Sequence, residues 1–240
     1  MTLTSSRTTT ESWHQWADER MKSGHLEQMI SEELFDHTWQ TSARQIIDIL
    51  ALKPGETVVD AGSGWGRMIH ALKSTIPTLR IRGYELTPEF ANRSRELLQS
   101  SALAADVEIE CADLTEAKLP CGQIDAFYST RVLHYIEDKQ TALGNLYDSL
   151  RPCGRGLVII PNRHCPYRWL TYRHAPLYPI GGIGAIMAEV GFKNLRYGGF
   201  GFFPPRPRLA HTSIACRIDQ ALSRTPLSRL AGLAYVCGTK

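Results

Sequence analysis

No apolar run in this 240-residue chain reaches the ~18 residues that a membrane-crossing helix requires. The first residues, MTLTSSRTTTESW, are rich in Thr and Ser and lack an apolar core, so they do not read as a secretory signal. Residues 1–10 read instead as a disordered tail. The six cysteines, at positions 111, 121, 153, 165, 216 and 237, form no C-x-x-C pair. That argues against a structural zinc site, and no metal ligand set is expected. Several lie in apolar strand-like runs, which predicts buried, reduced thiols in a cytoplasmic protein. The loop after the first predicted strand is followed by no Gly-Lys-Ser/Thr, which excludes a Walker phosphate loop. Acid is scarce in one half. Residues 1–150 carry 14 Lys/Arg against 22 Asp/Glu, a balance of −8, whereas residues 151–240 carry 13 against 2, a balance of +11. An acidic front and a basic back predict two different binding partners.

What is present is a chain long enough for one well-buried core, with no internal repeat. Residues 11–53 read as a helical N-terminal extension, with apolar spacing at Ile46, Ile47, Leu50 and Leu52. KPGE then breaks the pattern. From residue 54 to 162, short strands alternate with helices. TVVDA precedes the helix GRMIHALKS, and LRIRGYEL precedes TPEFANRSRELLQSSA, with Thr87 as its cap and Pro88 in its first turn. VEIECAD and IDAFYST follow, then the helix KQTALGNLYDSL, a turn RPCGRG and a fifth strand LVIIP. The alternation predicts a doubly wound, mostly parallel α/β sheet with helices on both faces. Residues 163–230 read as an irregular, basic and aromatic insertion facing the substrate, and residues 231–240 as a last strand.

The stretch ETVVDAGSGWGRMIHAL, from Glu56 to Leu72, raises the functional question. Strand ends on one side of such a sheet are where ligands bind. A dinucleotide site has G-x-G-x-x-G, but the spacing here is G-x-G-x-G, with Asp60 just before Gly62, Gly64 and Gly66. A carboxylate there repels a pyrophosphate and suits a ligand with a cationic end, which argues against a dehydrogenase. Two more acids close later strands. Glu85 can accept a ribose diol, and Asp113 can accept from the exocyclic amine of a base. Three acids on adjacent strand ends predict a nucleoside ligand that carries positive charge and no phosphate.

In order, VVDAGSGWG, GYEL, CADL, LPCGQIDAFYSTRVLHYIED and LRPCGRGLVII resemble the signature of class I S-adenosylmethionine-dependent methyltransferases, in the subgroup that methylates small molecules, quinones and lipids. The resemblance spans about residues 45–165. It implies a seven-stranded, Rossmann-like sheet whose last strand is antiparallel, and S-adenosylmethionine as cofactor. It implies Asp60, Gly62, Gly64 and Gly66 around the methionine part and Glu85 with Leu86 at the ribose. Asp113 and Leu114 are implied at the adenine, and Ser129, Thr130 and Arg131 near the sulfonium. Two departures are visible: PCGRG replaces the usual Pro-Gly-Gly turn, and Arg131 puts a cation beside the expected sulfonium, so it is expected to turn toward substrate.

Outside the cofactor residues, His134 follows the fourth strand and is a candidate general base, though VLHYI is apolar enough for a packing histidine. The segment NRHCPYRWLTYRHAPLY offers Arg163, His164, Arg168, Tyr172, Arg173 and His174 as a substrate lid, with arginines for an anionic group and aromatics for an apolar body. Its bland alternative is a solvated loop. From about His211 to Arg224 a helix aligns Ile214, Ile218, Ala221 and Leu222, flanked by Arg217 and Arg224, a stripe that packs on a domain or lies on an anionic membrane. The expected activity is methyl transfer to a small or lipid-like, anionic acceptor. The alternative is a cofactor-binding but non-catalytic partner protein. A nucleic-acid acceptor is opposed because the fourth strand is followed by no N/D-P-P-Y/F or Pro-Cys motif; Pro152-Cys153 comes only after the next helix.

Overall fold

A computed structural model of the chain describes residues 32–168, 177–203 and 213–240. Seven strands run as β1 Thr57–Ala61, β2 Arg80–Glu85, β3 Val107–Cys111, β4 Ile124–Thr130, β5 Leu150–Pro161, β6 Lys193–Phe200 and β7 Leu233–Thr239. The helices among the described residues are α1 Glu32–Leu50, α2 Arg67–Thr75, α3 Pro88–Ser100, α4 Lys139–Ser149, α5 Ile180–Val190 and α6 Ser213–Ser223, and a 3-10 turn spans Pro226–Leu230. The strands form one sheet in the order β3-β2-β1-β4-β5-β7-β6. The first five are mutually parallel, and β7 is antiparallel to both β5 and β6. The mostly parallel sheet is what the α/β alternation predicts; its seven strands, Rossmann-like order and antiparallel last strand are what the family resemblance implies.

Strand periodicity sorts the core into two layers. Val58, Tyr128, Leu157 and Ile159 point to the face covered by α1, α2 and α3, where Ile46, Leu50, Ile69, Leu72 and Leu98 are buried. Their neighbours Val59, Phe127, Val158 and Ile160 point to the other face, against Leu143 and Leu146 of α4 and Ile183 and Met187 of α5. Each fully buried aliphatic side chain stabilises the fold by about 1.5–3 kcal/mol. The central strands β1 and β4 are buried along nearly their whole length, as a strand with helices on both faces must be. At the β3 edge, Glu108 and Glu110 face solvent instead.

Four sequence expectations need correction. RPCGRG is not a separate turn: it forms the first half of β5. There the chain kinks at Cys153 (φ 64°), and Ile124 pairs with Leu150 but Ala126 pairs with Arg155. Thr87 stands at the head of α3 but does not cap it. Its hydroxyl donates instead to Glu85, whose buried carboxylate is the stronger acceptor (2.8 Å). Burial of the thiols is also only partial, because Cys165 and Cys237 are buried while Cys111, Cys121 and Cys153 are exposed. None of these five is in a disulfide. The predicted C-terminal helix is present as α6, but its isoleucines do not pack inward: Ile214 and Ile218 are exposed. Residues 1–10 of the expected tail lie outside the described residues.

Candidate cofactor and acceptor site

The order of strands reverses between β1 and β4, and the crevice at their carboxyl ends is where a sheet of this kind receives ligands. Asp60 pairs with Gly83 on one side and Tyr128 on the other, so it stands at that reversal. Glu85 ends β2 next door, and Asp113 lies two residues beyond the end of β3. Adjacent strands are ~4.8 Å apart, so the three acids span roughly 10 Å, the reach from a methionine tail across a ribose to a base.

Asp60 is 2% exposed, and its Oδ2 has no hydrogen-bond partner among the described residues. Burial is the main reason its pKa rises to about 7; the charge of Glu85 adds to the rise and the Tyr128 hydroxyl opposes it. A buried carboxylate with an orphaned oxygen favours a cation. Around it, Ser63 Oγ and Thr130 Oγ1 are likewise buried without partners. These groups suit a ligand that brings its own donors and acceptors, as the ammonium and carboxylate of the methionine part of S-adenosylmethionine do.

The glycine loop is built from the backbone. Gly62 N and Ser63 N both donate to Tyr84 O at 2.9 Å, which ties the loop to β2. Gly62 has φ 93°, and a Cβ there would come within 2.3 Å of Val132 Cγ2. Gly64 also has positive φ, 53°, yet a Cβ there would meet nothing within 4 Å. The two glycines thus serve different ends: one admits a neighbouring side chain, the other leaves open space where a ligand can approach the backbone. Gly66, at φ 79°, heads α2 without any side-chain cap. Trp65, between them, packs on Phe90 with ring centroids 5.5 Å apart.

Glu85 is more committed than its position alone suggests. Oε2 accepts from Gly64 N (2.8 Å), and Oε1 accepts from Thr87 N (3.0 Å) and Thr87 Oγ1 (2.8 Å). A carboxylate offers about four lone-pair positions, so a ribose diol can donate both its hydrogen bonds to it only when one of these donors gives way. Leu86 follows half-buried. Asp113 uses Oδ1 to accept from Thr115 N (2.8 Å) and Thr115 Oγ1 (2.7 Å), which turns the chain and leaves Oδ2 available. Leu114 is buried, and Asn145 Nδ2 of α4 donates to its carbonyl (2.9 Å).

Past β4 the expected residues separate. Ser129 is fully buried and donates to Ala61 O (2.9 Å), so its hydroxyl joins two strand ends. Arg131 takes a left-handed backbone (φ 61°), and its guanidinium lies over the Trp39 ring of α1 at 5.0 Å. Its charge is thereby placed on an aromatic face, where a cation is favoured. His134 is 4% exposed, and neither ring nitrogen has a hydrogen-bond partner among the described residues. Burial, then the charges of Arg131 and Lys139, lowers its pKa to about 3. The imidazole is neutral at physiological pH, with an open lone pair.

Of the lid residues, Arg163, His164 and Arg168 are exposed beyond the carboxyl end of β5, and Arg168 donates to Arg163 O (2.9 Å). Tyr172, Arg173 and His174 lie outside the described residues. Sequence reasoning missed Asn162. It is 4% exposed; its Nδ2 donates to Arg229 O (2.9 Å) and Ala231 O (2.7 Å), and its Oδ1 accepts from His164 N (3.0 Å). It therefore pins the start of the lid to the 3-10 turn. A polar residue directly after an apolar strand was the available signal, but its partners are 67 and 69 positions away in the chain.

Residues 59–156 match a family model described as a methyltransferase domain. Phosphoethanolamine N-methyltransferase 3 of Arabidopsis thaliana is 25% identical over 160 residues, which cover 64% of this chain and 32% of that one. The chain therefore spans about a third of that relative's length. The O-methyltransferase resE of Aspergillus sclerotiorum is 22% identical over 182 residues, 72% of this chain and 69% of its own. Among solved structures, phosphoethanolamine N-methyltransferase 2 of Haemonchus contortus, in complex with phosphomonomethylethanolamine and S-adenosylhomocysteine, superposes with a TM-score of 0.63 at 16% identity, covering 86% of this chain and 57% of that one.

Proposed function

We propose, because the chain belongs to the class I S-adenosylmethionine-dependent methyltransferase family, that it transfers a methyl group to a small or lipid-like acceptor bearing negative charge. The observation that carries the acceptor class is the division of charge: acids stand at the ends of β1 and β2, while Arg163 and Arg168 stand exposed beyond the end of β5. Relatives named for phosphoethanolamine, a small phosphate-bearing amine, support the same acceptor class.

Bound S-adenosylmethionine supplies an electrophilic methyl group on a sulfonium. The chain's own part is to bind, orient and exclude water. Asp60 would hold the cationic end, with the Gly64 backbone open to the ligand. Glu85 and Asp113 would take the ribose and the base, each with an oxygen not fully engaged. Arg131, drawn onto Trp39, keeps its charge away from the methyl donor.

His134 is the candidate to remove a proton from the acceptor. A pKa near 3 makes it a weak base in the free protein. An anionic acceptor beside it would offset Arg131 and Lys139 and raise that basicity. His134→Ala should cut turnover by about 100-fold or more across pH 6–9 while leaving cofactor affinity intact, as loss of a general base does. Near-normal turnover removes the role.

The function is tested by transfer of label from methyl-labelled S-adenosylmethionine into a cell extract, partitioned between water and organic solvent. Label in water identifies a soluble anion as acceptor, and label in the organic phase a lipid. Cofactor binding without incorporation would instead favour a non-catalytic partner protein.

A further inference from the structure

We propose that the rim formed by α6 and the 3-10 turn docks on an anionic lipid surface. Among the described residues, five large apolar side chains are exposed, and four of them lie here: Ile214 (68%), Ile218 (43%), Leu227 (52%) and Leu230 (46%). The two elements that carry them pack on each other, and exposed apolar side chains grouped on neighbouring elements mark an interaction site.

The exposure does not come from a loosely held helix. The inward face of α6 is centred on Ala215 and Asp219, both 5% exposed. Asp219 Oδ1 accepts from Gly201 N (2.8 Å) and Phe202 N (2.7 Å), which ties the helix to the end of β6. The hydroxyl of Tyr167 donates to the carbonyl oxygen of the same Gly201 from the lid side. Asn162 grips the carbonyls at Arg229 and Ala231, holding the 3-10 turn to the end of β5. A helix that buries its acid and presents its isoleucines is anchored with an apolar face outward.

Charge selects the occupant. Arg217, Arg224 and Arg229 are exposed around the apolar residues, and none forms an ion pair with a described residue. Asp219, the acid within residues 191–240, is buried and committed to β6. Nothing acidic on the patch therefore repels an anionic headgroup. A second copy of the chain would bring arginine against arginine. A nucleic acid would satisfy the arginines but offer nothing to four aliphatic side chains, and neither α6 nor the 3-10 turn carries an aromatic residue on which a base could stack. Anionic lipid satisfies both parts, with chains for the aliphatics and headgroups for the cations.

Position gives the docking a use. β6 runs antiparallel to β7, and β7 antiparallel to β5, so β6 ends at the same edge of the sheet as β1. The patch lies at that carboxyl edge, four strand spacings, or roughly 19 Å, from Asp60. Docking there would turn the open end of the site toward the bilayer.

The experiment is vesicle flotation of the full chain without cofactor, so that its outcome is independent of methyl transfer. Vesicles of phosphatidylcholine alone are compared with vesicles mixed with phosphatidylglycerol, at low and high salt. The protein should float with the mixed vesicles at low salt and be released by salt. Each arginine of the three changed to Ser should weaken binding about fivefold. Ile214→Ser with Ile218→Ser should abolish flotation while leaving the thermal melt unchanged, since both side chains are exposed. No flotation with mixed vesicles at low salt overturns the proposal. So does flotation indifferent to the isoleucine substitutions, or a dimer in solution that those substitutions dissociate.

Discussion

Asp60 and His134 are two buried titratable groups whose shifts run in opposite directions. Asp60 holds its proton more tightly in the folded chain, at about 7 against 3.8. Its contribution to stability is therefore full at low pH and is lost as pH rises from 3.8 to about 7. His134, lowered from 6.5 to about 3, is charged more easily when unfolded, so its contribution is present above 6.5 and lost as pH falls toward 3. The two slopes oppose each other between pH 4 and 6.5. Asp60→Asn should raise stability at pH 8 by on the order of 1–2 kcal/mol and much less at pH 5, read from thermal melts at the two pH values. The same substitution should weaken S-adenosylmethionine by about 10- to 150-fold, the worth of a hydrogen bond to a charged group. Wild-type affinity should rise with pH up to about 7 and then level off, because a cationic ligand needs the carboxylate ionised; calorimetric titration across pH 5.5–8.5 checks this. An affinity flat with pH would mean that Asp60 is already ionised in the free protein.

At the level of elements, the loop between β1 and α2 separates packing from binding. Gly62→Ala should destabilise the fold by about 1–3 kcal/mol, because its methyl meets the buried side of Val132. Gly64→Ala meets no atom and carries only the strain of a left-handed backbone, about 1 kcal/mol. It should nevertheless weaken cofactor binding clearly, since the methyl enters the open space of the loop. Melting curves and cofactor titrations of the two variants, side by side, distinguish these roles. The lid and the 3-10 turn are joined by a different device. Asn162→Ala strands two carbonyls and one N–H, and should cost about 1–3 kcal/mol in chemical denaturation.

At the scale of the whole molecule, Asp60 and Glu85 from the acidic half and Arg163 and Arg168 from the basic half all stand at or beyond the carboxyl ends of parallel strands. Charge reversal of Arg163 and Arg168 to Glu should raise the acceptor KM about tenfold or more, and spare cofactor affinity. An unchanged KM would remove these arginines from acceptor binding. Among the described residues no helix is long and apolar enough to cross a membrane.

Much of this was legible in the sequence, because it rests on local rules. Alternating apolar runs make strands with two buried faces, Gly-Ser-Gly-Trp-Gly after Asp60 makes an open turn, and both survive whatever the rest of the chain does. What the tertiary structure alone decided depends on partners remote in the chain. Glu85 spends three of its acceptor positions on Gly64 and Thr87, Arg131 is drawn onto Trp39, and Asn162 holds the 3-10 turn. The outward face of α6 is of the same kind. Periodicity marks an apolar stripe on a helix, but only the packing of Ala215 and Asp219 against β6 determines which way that stripe points.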